Sequence, residues 1–193
     1  MKIFIASLGL IAIAFNSNAA LLERLNGLAY YDTALNITWS ADANINGFDT
    51  WENQSIWASN LQIGGTDGWR LPNADVNGDG VVVDCAGGGV VGCEDNEMGF
   101  LYWEEGVTPS TSGPFNNIQS NLYWSSTESL TSPTSSWIFR FSAGDQRTFN
   151  KSTDLATWVV RDGDITTVPL PDTAWLFCSG IIALSAFMRR KNT

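Results

Sequence analysis

Histidine is absent from the 193 residues, cysteine occurs only 3 times, and Lys plus Arg number 10 against 20 Asp plus Glu. Without histidine no Ser-His-Asp or Cys-His machinery can be assembled, and the usual base near neutral pH is missing. Most hydrolase mechanisms fall with it. Carboxylate-pair chemistry survives in principle through Glu97, Glu104, Glu105 and Glu128. It needs two carboxyls held about 5 to 10 Å apart beside a long cleft, and adjacent Glu104 and Glu105 diverge on a helix. The chain therefore reads as non-enzymatic. From Glu23 to Asp172 six cations face 20 acids, a net charge of −14. Such a balance repels nucleic acid and anionic lipid and favours cations and solubility. Zinc is poorly served by two thiols outside the apolar ends and no imidazole.

Apolar runs are confined to the two ends. Residues 1–19 carry Lys2, an uncharged stretch from Ile3 to Phe15, then Ser17-Asn18-Ala19. Charge, greasy segment and small-x-small ending make a secretory signal peptide cleaved after Ala19. At the other end Val168-Pro169-Leu170-Pro171 precedes Ala174-Trp175-Leu176-Phe177, an uncharged run to Met188 and then Arg189-Arg190-Lys191. The prolines block helix before Asp172, so the apolar helix is 174–188. Fifteen helical residues reach only about 22 Å against a hydrocarbon core of about 30 Å, and the basic tail places the preceding chain on the far side of the membrane. Residues 166–193 resemble the PEP-CTERM sorting signal of Gram-negative bacteria, with Val168, Pro169, Pro171, Trp175, Arg189 and Arg190 as its marks. That resemblance implies an exosortase-type protease as partner, a transient stay in the inner membrane, and delivery to the outer surface or the medium.

What remains, residues 20–165, is enough for one domain with a core of its own. Cys178 falls in the membrane segment, which leaves Cys85 and Cys93 bracketing a glycine-rich stretch; in an oxidising compartment they form a disulfide. The sequence predicts strands at residues 28–31 and 36–40, and a helix from Thr50 with Trp51, Trp57, Ala58 and Leu61 on one face, stopped by Gly64-Gly65. It predicts an extended piece at 69–72, a polar loop at 73–92, and a second helix over 94–105 with Met98, Leu101 and Tyr102 inward. Strands follow at 122–126, 136–142, 146–150 and 156–161. In the second of these, Trp137, Phe139 and Phe141 alternate with Ile138, Arg140 and Ser142, the period of a half-buried strand. The 9 tryptophans read as core of a loop-rich domain. Arg70 and Arg161, beside core tryptophans, are expected to pair with carboxylates such as Glu97 or Glu128. The class is α+β, two short helices with antiparallel sheet.

Five motifs occur in order: Asp32 with Trp39 and Asp42-Ala43-Asn44; Gly68-Trp69-Arg70-Leu71-Pro72; Glu97-Met98-Gly99; Tyr123-Trp124-Ser125-Ser126-Thr127-Glu128; and Trp158-Val159-Val160-Arg161. With them the domain resembles the Lcl C-terminal domain family over roughly residues 28–164. The resemblance implies a C-type lectin-like fold and a relation to the end domain of a collagen-like surface adhesin that binds sulfated glycans. The acidic domain lacks the basic patch that would meet sulfate groups, and the Glu-Pro-Asn and Gln-Pro-Asp triplets of true C-type lectins are missing.

One loop carries metal-site spacing. Asp75-Val76-Asn77-Gly78-Asp79-Gly80-Val81 sets side-chain oxygens at positions 1, 3 and 5, glycine at 6, and a carbonyl at 7, the first half of an EF-hand or dockerin-type calcium loop. Position 12 is Ala86, so closure falls to Asp84 or to Glu94 or Asp95. A solvated Asp/Asn/Gly turn fits the same residues. The expected function is an exported, surface-sorted binding module that contacts extracellular polysaccharide or matrix, with calcium as its one candidate cofactor. A matrix protein of purely structural role and a glycan-active enzyme are the alternatives.

Overall fold

The computed structural model describes residues 20–83 and 93–165. The signal peptide with its cleavage site at Ala19, Asp84, Cys85 and the sorting segment 166–193 lie outside the described residues. Among those described, no helix is long and apolar enough to cross a membrane.

The chain opens with β1 (Leu21–Arg24), β2 (Ala29–Asp32) and β3 (Ile37–Ser40), an antiparallel meander. β1 was not expected: four residues with an outward-facing centre show no period, and they are strand because β2 offers an edge to pair with. Its connection to β2 bends through Leu25, Asn26 and Gly27, all at positive φ. The β2–β3 turn is closed by Asp32, whose Oδ1 accepts from the N–H groups of Ala34 and Leu35 at 2.9 and 3.0 Å.

Helix α1 (Trp51–Asn60) ends four residues before Gly64, at Leu61, which is already extended. Its expected inner face packs on the core, Ala58 within one cluster and Trp51, Trp57 and Leu61 against it, and Gln54 is added to it. Trp51 and Trp57 are half-buried, while Gln54 and Ala58 are fully buried. Gln54 belongs inside because its amide group donates to the carbonyls of Gly47 and Leu155 and accepts from Asn46, satisfying irregular backbone that water cannot reach. Short β4 (Trp69–Arg70) follows, and α2 (Glu97–Trp103) is shorter than the expected 94–105. Asn96 fixes its start: the side chain accepts from the N–H groups of Met98 and Gly99. Residues 93–95 form a separate 3₁₀ turn.

The last third supplies β5 (Leu122–Glu128), β6 (Ser135–Arg140), β7 (Asp145–Asn150) and β8 (Val160–Asp162). β5, β6 and β7 make one antiparallel sheet, whereas β8 inserts between β3 and β4 in a five-stranded sheet of order β1-β2-β3-β8-β4. The chain before β8 touches both sheets, since Ala156 bridges to Tyr123 and the Val159 carbonyl receives the Ser40 N–H.

The expected half-burial of β6 is overturned. Ile138 and Phe139 are both 0% exposed and Trp137 is only half-buried. The three-stranded sheet is covered on both faces, so alternation sorts its side chains between two cores instead of between core and water. Phe139 and Phe141 join Trp39, Tyr123 and Trp158 in one cluster, and Ile138 joins Trp69, Leu71 and Trp124 in the other. Aromatic rings meet edge to face in the first, Trp39 with Trp158 at 5.1 Å and Phe115 with Trp158 at 4.8 Å. The architecture is α+β with two helices and antiparallel sheets.

Candidate functional site

The acidic loop is built on Asn73, which α2 and β5 hold. Its N–H donates to Glu97 of α2 at 2.7 Å, and its Oδ1 accepts from the Thr127 hydroxyl of β5 at 2.7 Å. Pro72 just before it accepts from the Ser126 N–H, where the β5–β6 register shifts and the strand bends toward the loop. Arg70 of β4 grips both oxygens of Glu97 at 2.8 and 2.9 Å and reaches Asp162 of β8 at 2.6 Å. Burial works against the Arg70 charge, but the bonds from Glu97 and then Asp162 outweigh it and leave its pKa raised. The expected Arg70–Glu97 pair is present. Arg161 differs from expectation: its guanidinium serves the carbonyls of Asp67 and Asp162, while Glu128 pairs with Lys151.

From Asp75 the loop is shaped by its own carboxylates and amides. Asp75 accepts from the N–H groups of Gly78 and Gly80, each at 2.9 Å; Asn77 accepts from Asp79; Asp79 accepts from Val81 at 2.7 Å. Gly78 and Gly80 take φ of 69° and 78°, a turn that other residues resist. Asp95 then closes the loop from outside it, since its Oδ1 accepts from the Asn77 N–H at 2.9 Å and its carbonyl from that of Val76.

The consequence is convergence. Asp75, Asp79 and Asp95 each bring one carboxylate oxygen within 4.8 Å of the others. Burial first, and the charges of Asp75 and Asp79 after it, push the Asp95 carboxyl above the usual range, although the Asn77 N–H opposes them. Of the residues expected at a metal site, Asp75, Asn77, Asp79 and Val81 share this loop, with the Val81 side chain 60% exposed. Asp84 lies outside the described residues, as does Cys85, the expected partner of the buried Cys93. Asp95 was one of three acids considered for closure, with Asp84 and Glu94, and only folding brings it to the loop.

Beside the loop runs a groove of about 450 Å³, with Asp75 and Val81 on one wall and Thr127, Ser129, Leu130 and Trp137 on the other. Its lining is mostly apolar, with Leu130 90% exposed, and Asp75 is among the residues that line it.

Fold and loop together define an α+β domain of two packed antiparallel sheets that carries an acidic loop beside an open groove. The chain belongs to the Lcl C-terminal domain family, whose model matches residues 29–161, from the start of β2 into β8. No curated protein matches the chain.

Proposed function

We propose that this protein is an exported, surface-sorted, non-enzymatic binding module that contacts extracellular polysaccharide or another matrix component. Calcium at Asp75, Asn77, Asp79 and Asp95 organises its binding face. The observation that carries the reading is the meeting of three carboxylate oxygens in a loop already folded around Asn and Gly, next to a groove with an aromatic wall. Calcium takes six to eight hard oxygens at 2.3–2.6 Å, and carboxylates spaced this way need only contract slightly, with water completing the shell. Export and sorting rest on the sequence of the two ends, the C-type lectin-like character on the family resemblance, and the Cys85–Cys93 bridge on the compartment and the spacing.

Glycan-array binding of the purified protein, with calcium and with chelator, tests the reading. Binding that chelator abolishes is expected; no glycan bound at any calcium concentration sinks the ligand. Asp79→Ala is expected to remove the calcium heat in calorimetry, and an unchanged titration retires the metal.

A further inference from the structure

Asp32, at the end of β2, is fully buried. Its Oδ1 is occupied by the β2–β3 turn, but its Oδ2 has neither solvent nor a donor. The group against it is the carboxyl of Glu105, two residues beyond α2, whose Oε1 and Oε2 are likewise shut off from water and without a donor. Three acceptors thus meet with nothing to accept from. Ionised carboxylates can only accept, and two of them side by side in a low dielectric repel strongly.

No cation among the described residues answers them. The ion pairs among the described residues commit Arg24, Arg70, Arg140 and Lys151 to other acids, Arg161 donates to backbone carbonyls, and Arg147 of β7 is not among the groups that act on Glu105. The charged group acting on Glu105 is Asp32 from β2, with no other element contributing among the described residues. A calcium ion needs twice as many oxygens as this site offers, and the water to supply them is excluded. A single proton meets both needs, because it turns one acceptor into a donor and removes one charge.

We infer that Asp32 and Glu105 share one proton, and that the protonated pair is an alkali-sensitive clip fastening the chain beyond α2 to the β2–β3 turn. The fastened segment is short and leads straight into the core. The Val107 N–H bonds to the Leu101 carbonyl, and the Val107 side chain is buried in the aromatic cluster. Loss of the proton sets two like charges in contact, and Glu105 reaches water only if residues 104–107 lift and draw Val107 with them. Burial foremost, then the charge and bond of Asp32, push the Glu105 carboxyl up to about 8. A folded-state value above the unfolded one favours the protonated form in the native state. This stability is fully present below about 4.5 and is lost as pH rises through about 8.

The test is denaturant unfolding of the full chain in chelator between about pH 5 and 9.5. Wild type is expected to lose at least about tenfold in its folding constant across that range, while Glu105→Gln, whose amide donates to Asp32 at any pH, stays level. A level wild-type curve, or an equal loss in the variant, overturns the clip. Should Glu105→Gln not fold, Asp32→Asn supplies the same neutral pair while keeping the acceptor for Ala34 and Leu35. Carboxyl ¹³C titration of wild type decides independently. Glu105 is expected to titrate well above the usual carboxylate range, and an ordinary midpoint for it refutes the shared proton.

Discussion

At the scale of single residues, the loop joins a hydrogen-bond pattern to a charge problem. Asp95 is held above its ordinary pKa by burial and by two neighbouring carboxylates, so part of its population is protonated at mildly acidic pH. A divalent ion reverses that balance, because it binds only the ionised form. Calcium binding is therefore expected to release more protons in acid than near neutral pH, as read by calorimetry in buffers of differing ionisation heat. Asp95→Asn abolishes the release. Elsewhere a single hydrogen atom decides packing: a Cβ on Gly99 would lie 1.7 Å from the Cys93 carbonyl oxygen. Gly99→Ala must push the 3₁₀ turn off α2, and an unfolding free energy lowered by at least about 2 kcal/mol is the expected result in denaturant unfolding. The half-loop could be read in the sequence, since Asp75, Asn77, Asp79 and Gly80 stand at fixed spacing. Its closing acid could not, because Asp95 meets Asp75 only through the fold. Asp32 and Glu105, from opposite halves of the match, were equally hidden.

At the scale of elements, α2 is the part on which the site leans, and its start is unusually well determined. Asn96 is fully buried, caps two N–H groups with its oxygen and donates its amide to Gln146 of β7 at 2.8 Å. Asn96→Ala removes a cap and strands buried donors together, so a loss of about 2 kcal/mol or more is expected in denaturant unfolding. Asn96→Asp keeps the cap but not the donor and should lose less. Where elements were legible, the signal was local: the two strands read at 28–31 and 36–40, and the pre-proline extension at Trp69-Arg70. Where they were not, the deciding partner was distant. The period of β6 was real, but that both of its faces are covered depended on a second core that no window of the sequence contains. Buried Gln54 likewise looked like the polar side of α1, because the carbonyl of Leu155 that it serves is 101 positions away.

At the scale of the whole molecule, the two ends of the domain are tied to each other. β8 lies against β3, and just beyond it Asp164 forms an ion pair with Arg24 of β1, at 2.6 and 2.9 Å. The Arg24 bond first, and its charge after a smaller burial effect, hold the Asp164 carboxyl below the usual range. A depressed folded-state pKa contributes stability that is present above the unfolded value, near 3.8, and lost as pH falls through the lower one. This effect is opposite in sign to that of Glu105, so stability should be bounded on both sides, failing in acid through Asp164 and in alkali through the shared proton. The two limbs are separable because the pairs share no residue. Asp164→Asn is expected to lower stability near neutral pH by less than about 1 kcal/mol, since the pair is solvent-screened, and to flatten the acid limb while leaving the alkaline limb in place. Unfolding of the variant and of Glu105→Gln across the whole pH range reads both slopes. Equal changes in both limbs from either substitution would mean that the sheet edge and the α2 clip do not titrate independently.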